Sequence, residues 1–229
     1  MAKEYIPPHD IIVVNDGSDD DTESVVRGSG CTLLSHTTNK GKGAALRTGF
    51  DFVNSRKYDI VITMDADLQH LPKDIPRFVE EYSVHHQDVI VGNRLGGKKN
   101  MPLLRVMSNT ITTFLVKART GALIEDSQSG FRCIASGVLR KIRITTDGFE
   151  AETEFLIKAA ANGCSFGSIP IETIYAGEKS SMTHLTTTLN FIKVLFKQYF
   201  SKVCFGENRL MIKNEFGDIV YISKYNDIY

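Results

Sequence analysis

The sequence predicts an α/β fold, a mixed, mostly parallel sheet flanked by helices. Three observations carry that expectation. Short runs rich in β-branched residues, Ile11 to Val14, Asp59 to Met64 and Asp88 to Gly92, recur through the first half. Helix-patterned segments separate them, so β-loop-α units follow one another. Each run ends in polar residues: Asn15-Asp16, Asp65-Ala66-Asp67 and Asn93-Arg94. In such sheets ligands sit beyond the carboxyl ends of the strands, so this recurrence is the first functional signal.

The elements follow in order. Ile11 to Val14 is a buried strand closed by the turn residues Asn15-Asp16-Gly17-Ser18. Thr22 to Arg27 starts a helix, and Thr32 to Ser35 is a short strand. Gly43 to Arg56 spaces Ala45, Phe50, Phe52 and Val53 among good helix formers. Asp59 to Met64 is a second strong strand, and Leu71 to Tyr82 a helix with proline near its first turn. Asp88 to Gly92 is the third strand. Met101 to Ala118 and Phe149 to Asn162 read as helices, Ser129 to Ala135 and Ser168 to Tyr175 as strands. Leu189 to Phe205 sets Lys193, Lys197 and Lys202 among aromatics, which suits either a helix in an anionic interface or one packed on the sheet. Arg209 to Tyr225 predicts a polar β-hairpin turning at Asn214 to Asp218. The expected division is an α/β domain over 1–188, an amphipathic helix over 189–205 and a polar tail over 206–229.

Composition narrows the function. The 229 residues carry 27 Lys+Arg against 27 Asp+Glu. Zero net charge does not suit a general nucleic-acid coat, which needs a basic field to displace counterions. A hydrophobic fraction of 42% excludes a disordered chain. The four cysteines are far apart, without zinc spacing, and read as small buried side chains of a reduced protein. The first ten residues lack the apolar core of a secretory signal, and no run of about 18 apolar residues predicts a membrane span. The expectation is a cytoplasmic protein, peripheral at the cytoplasmic face of a membrane.

The sharpest chemical feature is Asp65-Ala66-Asp67 behind a buried strand. Alternate strand residues share a face, so a strand continuing through Asp67 points both carboxylates to the ligand side. Such carboxylates repel unless a cation neutralises them. Mg²⁺ or Mn²⁺ suits hard oxygens, with water and substrate phosphate completing its shell. Gln69 can add a neutral oxygen. An Asp-x-Asp alone is weak evidence, since Asp19-Asp20-Asp21 is another, in a solvated turn. The strand upstream distinguishes the two.

Four motifs then occur in a telling order: Asn15 to Thr22, Asn39 to Gly49, Asp65 to His70 and Asp126 to Arg132. Together they resemble family 2 glycosyltransferases, and within that family the dolichol-phosphate mannose synthase-like, polyprenyl-phosphate glycosyltransferase group. The resemblance implies a GT-A fold, a Rossmann-like sheet binding a nucleotide sugar with a metal at the Asp-x-Asp. It implies that Asp16, Gly17, Asp65, Ala66 and Asp67 bind the nucleotide sugar, with Asp16 on the base. Asp65 and Asp67 would be the catalytic pair and, with Gln69, would hold Mg²⁺ or Mn²⁺. The implied donor is GDP-mannose or UDP-glucose, and the acceptor a dolichyl or undecaprenyl phosphate. Asn39 to Gly49 has neither Walker spacing nor a full GxGxxG. Its glycines serve either the donor floor or tight helix-sheet packing.

For the acceptor phosphate the resemblance singles out Arg94, at a strand end, and Arg105, on the next helix. Arg132 either joins them or pairs with Asp126. The planar guanidinium fork suits phosphate. Glu178 to Met182 matches a segment that closes over the site in such enzymes, which adds Lys179 and Ser180. Mannose synthases often carry an arginine just upstream; Tyr175-Ala176-Gly177 has none, so glucose stays open beside mannose. Transfer would be inverting. A phosphate monoester is already largely ionised near neutral pH, so no strong general base is required, and Glu152 and Glu154 are candidates by position only.

Family members open on a strand with a Pro-x-Tyr-Asn-Glu-like motif followed by a helix. Here the sequence starts at what corresponds to the second strand, and Met1 to Asp10 is too short to supply both. Three expectations stand side by side: an active enzyme, an inactive nucleotide-binding relative, and a subunit whose exposed sheet edge takes a partner chain or a second copy.

Overall fold

The structure, a computed structural model, describes residues 2–94, 103–174, 201–206, 209–213 and 219–223. β1 (Ile12–Asn15) pairs in parallel with β2 (Thr32–Ser35), and α1 (Thr22–Arg27) connects them. Asn15 Oδ1 accepts the Ser18 N–H at 3.0 Å, which closes the turn at the end of β1. α2 (Lys42–Asn54) then leads to β3 (Ile60–Thr63). β3 begins a second sheet of order β3-β5-β4-β6, with β4 at Val89–Asn93, β5 at Arg132–Ala135 and β6 at Phe166–Pro170. β6 runs parallel to β4, whereas β5 is antiparallel to both its neighbours. The sheet is thus mixed, and the direction of β5 is what makes it so.

The helices cover both faces of this second sheet. α3 (Ile75–His85), α4 (Leu103–Thr120), α5 (Ser136–Lys141) and α6 (Ala151–Ala161) complete the set. Successive residues of β4 face opposite ways. Val89 and Val91 join Val116 of α4, Phe50 of α2, and Phe155 and Leu156 of α6 in one core. Ile90 joins Phe131, Cys133 and Phe78 of α3 in the other. A strand buried on both faces reads as the continuous apolar run seen here. Burial pushes the Cys133 thiol up to about 12, so it behaves as a small apolar group.

The expected α/β architecture is present, with several boundary corrections. β3 ends at Thr63, so it does not carry Asp65 and Asp67 on strand alternation. β5 starts at Arg132 rather than Ser129, and β6 ends at Pro170, whose missing N–H cannot extend a ladder. Ser201–Gly206, the end of the expected amphipathic helix, is instead strand β7; residues 189–200 lie outside the described residues. Val203 and Phe205 have the period-2 spacing that strand pairing favours. β7 pairs antiparallel with β8 (Arg209–Lys213), which pairs with β9 (Ile219–Ser223), so the expected hairpin is the second half of a three-stranded meander. No described helix is long and apolar enough to cross a membrane.

Among the described residues the two main sheets are separate, and β1 and β3 each pair on one side only. Ile12 of β1 and Val61 of β3 nevertheless pack on the same core cluster. Tyr58, just before β3, places its hydroxyl 3.5 Å from Asp10, just before β1. Both strands are only half-buried despite their apolar sequence, in contrast to β4.

Candidate active site

The first part of the site is the turn after β1. Asp16 accepts the backbone N–H of Lys40 at 2.9 Å and of Gly41 at 2.7 Å, and lies 2.6 Å from His36 Nδ1. His36 Nε2 in turn meets Thr48 Oγ1 at 2.8 Å. Gly17, at φ 72°, lies so close to this loop that a Cβ would stand 2.6 Å from Asn39 N. Burial pushes the Asp16 carboxyl up, but the hydrogen bonds from His36, Lys40 and Gly41 together outweigh it and leave the group below its ordinary 3.8. A depressed carboxyl stabilises the fold fully above its unfolded pKa and loses that contribution as pH falls through the folded value. The stability gap between wild type and Asp16→Asn, followed by urea denaturation, should therefore hold constant above about pH 5 and shrink below about pH 4.

The glycines of the next motif serve packing. Gly41 takes φ 96°, and a Cβ there would collide with the Asp147 carbonyl. A Cβ on Gly43 would collide with the Thr146 carbonyl and stand 2.8 Å from Ala151 Cβ. Gly43 N donates to Asp147 O at 2.6 Å, and Arg47 binds Thr146 O and Asp147. The close approach of α2 to residues 146–151 thus accounts for both glycines. Gly43→Ala should cost about 1–3 kcal/mol of stability, the range for overpacking, readable from a urea midpoint. On the other side of that contact Glu154, fully buried, accepts from Thr145, Thr146 and Lys158. Glu154 holds the loop and is not placed to act as a base.

At the centre Lys42 bridges two carboxylates. Its ammonium lies 2.8 Å from Asp65 Oδ1 and 2.7 Å from Glu152 Oε1. Gly130 makes room for them: a Cβ there would stand 2.7 Å from Asp65 Oδ2 and 2.8 Å from Glu152 Oε1. Burial works against the charge on Lys42, yet Glu152 and Asp65 prevail and raise its pKa. The partner gathered beside Asp65 is therefore Glu152, from the N-terminal turn of α6. Asp67 lies in the turn beyond, where its Oδ1 accepts the Gln69 N–H at 3.0 Å, and Leu68 takes a left-handed φ of 61°. His70 is buried against Phe131, with its Nδ1 unpartnered.

The arginines divide in an unexpected way. Arg94, at the end of β4, grips buried Asp126 through Nε at 2.8 Å and a terminal nitrogen at 3.0 Å. Arg132, the other candidate for Asp126, is 3% exposed and donates to the carbonyls of Ser127, Ser129 and Glu152. Its guanidinium braces the loop before β5 through these carbonyls.

Comparison with known proteins gives this constellation its family. The family model described as glycosyl transferase family 2 matches residues 2–143. The chain belongs to glycosyl transferase family 2. Among similar proteins, an uncharacterized protein of Methanocaldococcus jannaschii is 35% identical over 84% of this chain and 81% of its own. A UDP-N-acetylglucosamine–dolichyl-phosphate N-acetylglucosaminyltransferase of Methanococcus voltae is 29% identical over 82% of each. An undecaprenyl-phosphate mannosyltransferase of Micrococcus luteus is 29% identical over 74% of this chain and 73% of its own. In fold, glucosyl-3-phosphoglycerate synthase from Mycobacterium tuberculosis, solved with Mn²⁺ and UDP-glucose, superposes with a TM-score of 0.62 at 18% identity, covering 93% of this chain and 74% of its own.

In this family 2 glycosyltransferase the sequence-derived residues fall in two strand-end turns. Asp16, Gly17, Asp65, Ala66, Asp67 and Gln69 all lie in the turns after β1 and β3. Lys42 and Glu152 complete the centre. Lys42 stood inside a motif without a role of its own, and Glu152 had position as its one credential. The Arg105 side chain, Lys179 and Ser180 lie outside the described residues.

Proposed function

We propose that this glycosyltransferase moves a hexose from a nucleotide sugar to the phosphate of a polyprenyl lipid, with inversion at the anomeric carbon and with help from Mg²⁺ or Mn²⁺. The observation that carries the reading is the cation seat past β3. Asp65 already holds a positive group there, the Lys42 ammonium, beside the Asp67–Gln69 turn. The donor set fits a hard divalent ion: two carboxylates and an amide oxygen. Among the described residues no three carboxylate, imidazole or thiol groups converge. Asp65, Asp67 and Gln69 would therefore supply part of a shell that water and diphosphate complete. Bound there, the ion would stabilise charge on the departing diphosphate.

The chain's own residues would do the rest. The Asp16 clamp fixes Lys40 and Gly41 at the start of α2 and so sets Lys42. Lys42 would add positive charge beside the diphosphate. A phosphate oxygen of the acceptor attacks the anomeric carbon, the bond to the diphosphate breaks, and the nucleoside diphosphate leaves with the electron pair. The attacking group is an anion already. Glu152, tied to Lys42 and 3.8 Å from Arg132, is thus a positioning residue. The likeness to two transferases named for lipid-phosphate acceptors supports this acceptor class. An acceptor of that kind lies in a membrane, so the enzyme would work as a peripheral protein at the cytoplasmic face.

Purified protein would be given Mn²⁺ or Mg²⁺, a polyprenyl phosphate and, separately, GDP-mannose, UDP-glucose and UDP-N-acetylglucosamine. Glycolipid from GDP-mannose or UDP-glucose, lost on adding EDTA, is expected. Product from UDP-N-acetylglucosamine alone would keep the acceptor and correct the sugar. Calorimetric nucleotide binding with no product from any donor would replace transfer by binding alone.

A further inference from the structure

We propose that α4 is a membrane-docking helix whose outer face lies on an anionic lipid surface. The helix is buried on one side and carries exposed apolar residues on the other. Asn109, Thr113 and Val116 face inward and are buried. Met107, Ile111 and Phe114 are 53%, 55% and 67% exposed, with Leu115 and Ala118 exposed beside them. At 3.6 residues per turn, Met107, Ile111, Phe114 and Ala118 fall within about 60° of arc, opposite the buried side. Lys117 and Arg119 flank that ridge on either side. Leu123, 81% exposed, follows the helix. Single exposed apolar residues are ordinary, but an aligned ridge marks an interaction surface.

Charge selects the occupant. Leu103–Thr120 carries Arg105, Lys117 and Arg119 and no carboxylate, in a chain whose net charge is zero. An apolar stripe bordered by cations suits an anionic bilayer surface, where such a helix sinks about 5–10 Å into the headgroup and acyl boundary. A second copy suits it poorly, because a twofold contact would set one wholly cationic helix against another. The placement also serves the site. On its inner side, Thr113 Oγ1 accepts the Ser127 N–H at 3.0 Å, one residue from Asp126, which holds Arg94. The outer ridge thus lies across one helix diameter, about 10–12 Å, from the Thr113–Ser127 contact that leads to this arginine. Docking α4 would bring the site to headgroup depth, where a lipid-borne phosphate sits. The proposal rests on the polyprenyl-phosphate reading for this last step.

The test uses the full chain and vesicles without any polyprenyl phosphate. Wild type should co-sediment with phosphatidylcholine vesicles containing phosphatidylglycerol. Ile111→Ser with Phe114→Ser should weaken that binding about tenfold or more. Lys117→Glu with Arg119→Glu should weaken it about tenfold on the anionic vesicles and leave the weak binding to pure phosphatidylcholine unchanged. Transfer to a short water-soluble prenyl phosphate should be equal in wild type and the serine variant. A failed transfer assay would therefore sink the acceptor reading without touching the vesicle result. Wild type left in the supernatant, or serine variants binding as well as wild type, would overturn the proposal. A wild-type dimer that the serine variant splits, without vesicle binding, would assign the face to a second copy. A lowered melting temperature of that variant, again without vesicle binding, would assign it to another segment of the chain.

Discussion

Asp67→Asn should cut sugar transfer about 10³-fold while leaving the fold intact. The substitution keeps size and shape, and an asparagine Oδ1 can still accept the Gln69 N–H that closes this turn. Asp67 is exposed, so no buried partner is stranded. What disappears is a full negative charge in the seat proposed for the divalent ion. Losing one preorganised charge partner of a transition state lowers rates by about 10²–10³-fold, so kcat/KM for glycolipid formation should fall by about 10³-fold. The melting temperature without metal should match wild type. Near-normal transfer by Asp67→Asn would sink the metal-assisted reading.

Asp126→Ala carries the largest expected stability change. Asp126 is fully buried and takes two hydrogen bonds from the Arg94 side chain, one from the Arg94 backbone and one from Gln128 N. Removing one partner of a buried pair leaves the other charge uncompensated, with losses of about 3–5 kcal/mol. Urea denaturation of Asp126→Ala should show a loss of that size. Adding Arg94→Met should recover a large part of it, because no stranded charge then remains. A single variant as stable as wild type would mean that the pair holds nothing in place.

The strands, the strand-end turns and the four motifs were legible in the sequence because each depends on residues close together along the chain. The direction of β5 was not. Arg132 to Ala135 reads as a strand whichever way it runs, and only its pairing with β3 and β4 fixes the answer. The Asp65–Asp67 pair shows the same limit at the site. Strand alternation would have aligned them, but β3 ends at Thr63, before either residue. The carboxylate gathered beside Asp65 comes from Glu152, far along the chain and out of reach of any local pattern. Asp126 had two plausible arginine partners by sequence. The buried arginine at the start of β5 found backbone carbonyls, which left the carboxylate to Arg94.

The divided sheet has a mechanical consequence. Asp16 stands beyond β1 and Asp65 beyond β3, and these strands belong to separate hydrogen-bonded ladders. A donor touching both turns would act as a splint across a seam, tying two plates that α2 and a shared apolar core also join. Ligand that binds the folded protein and not the unfolded chain raises stability by mass action. The seam between the two ladders is thus where donor binding would add most to the connections the fold already has.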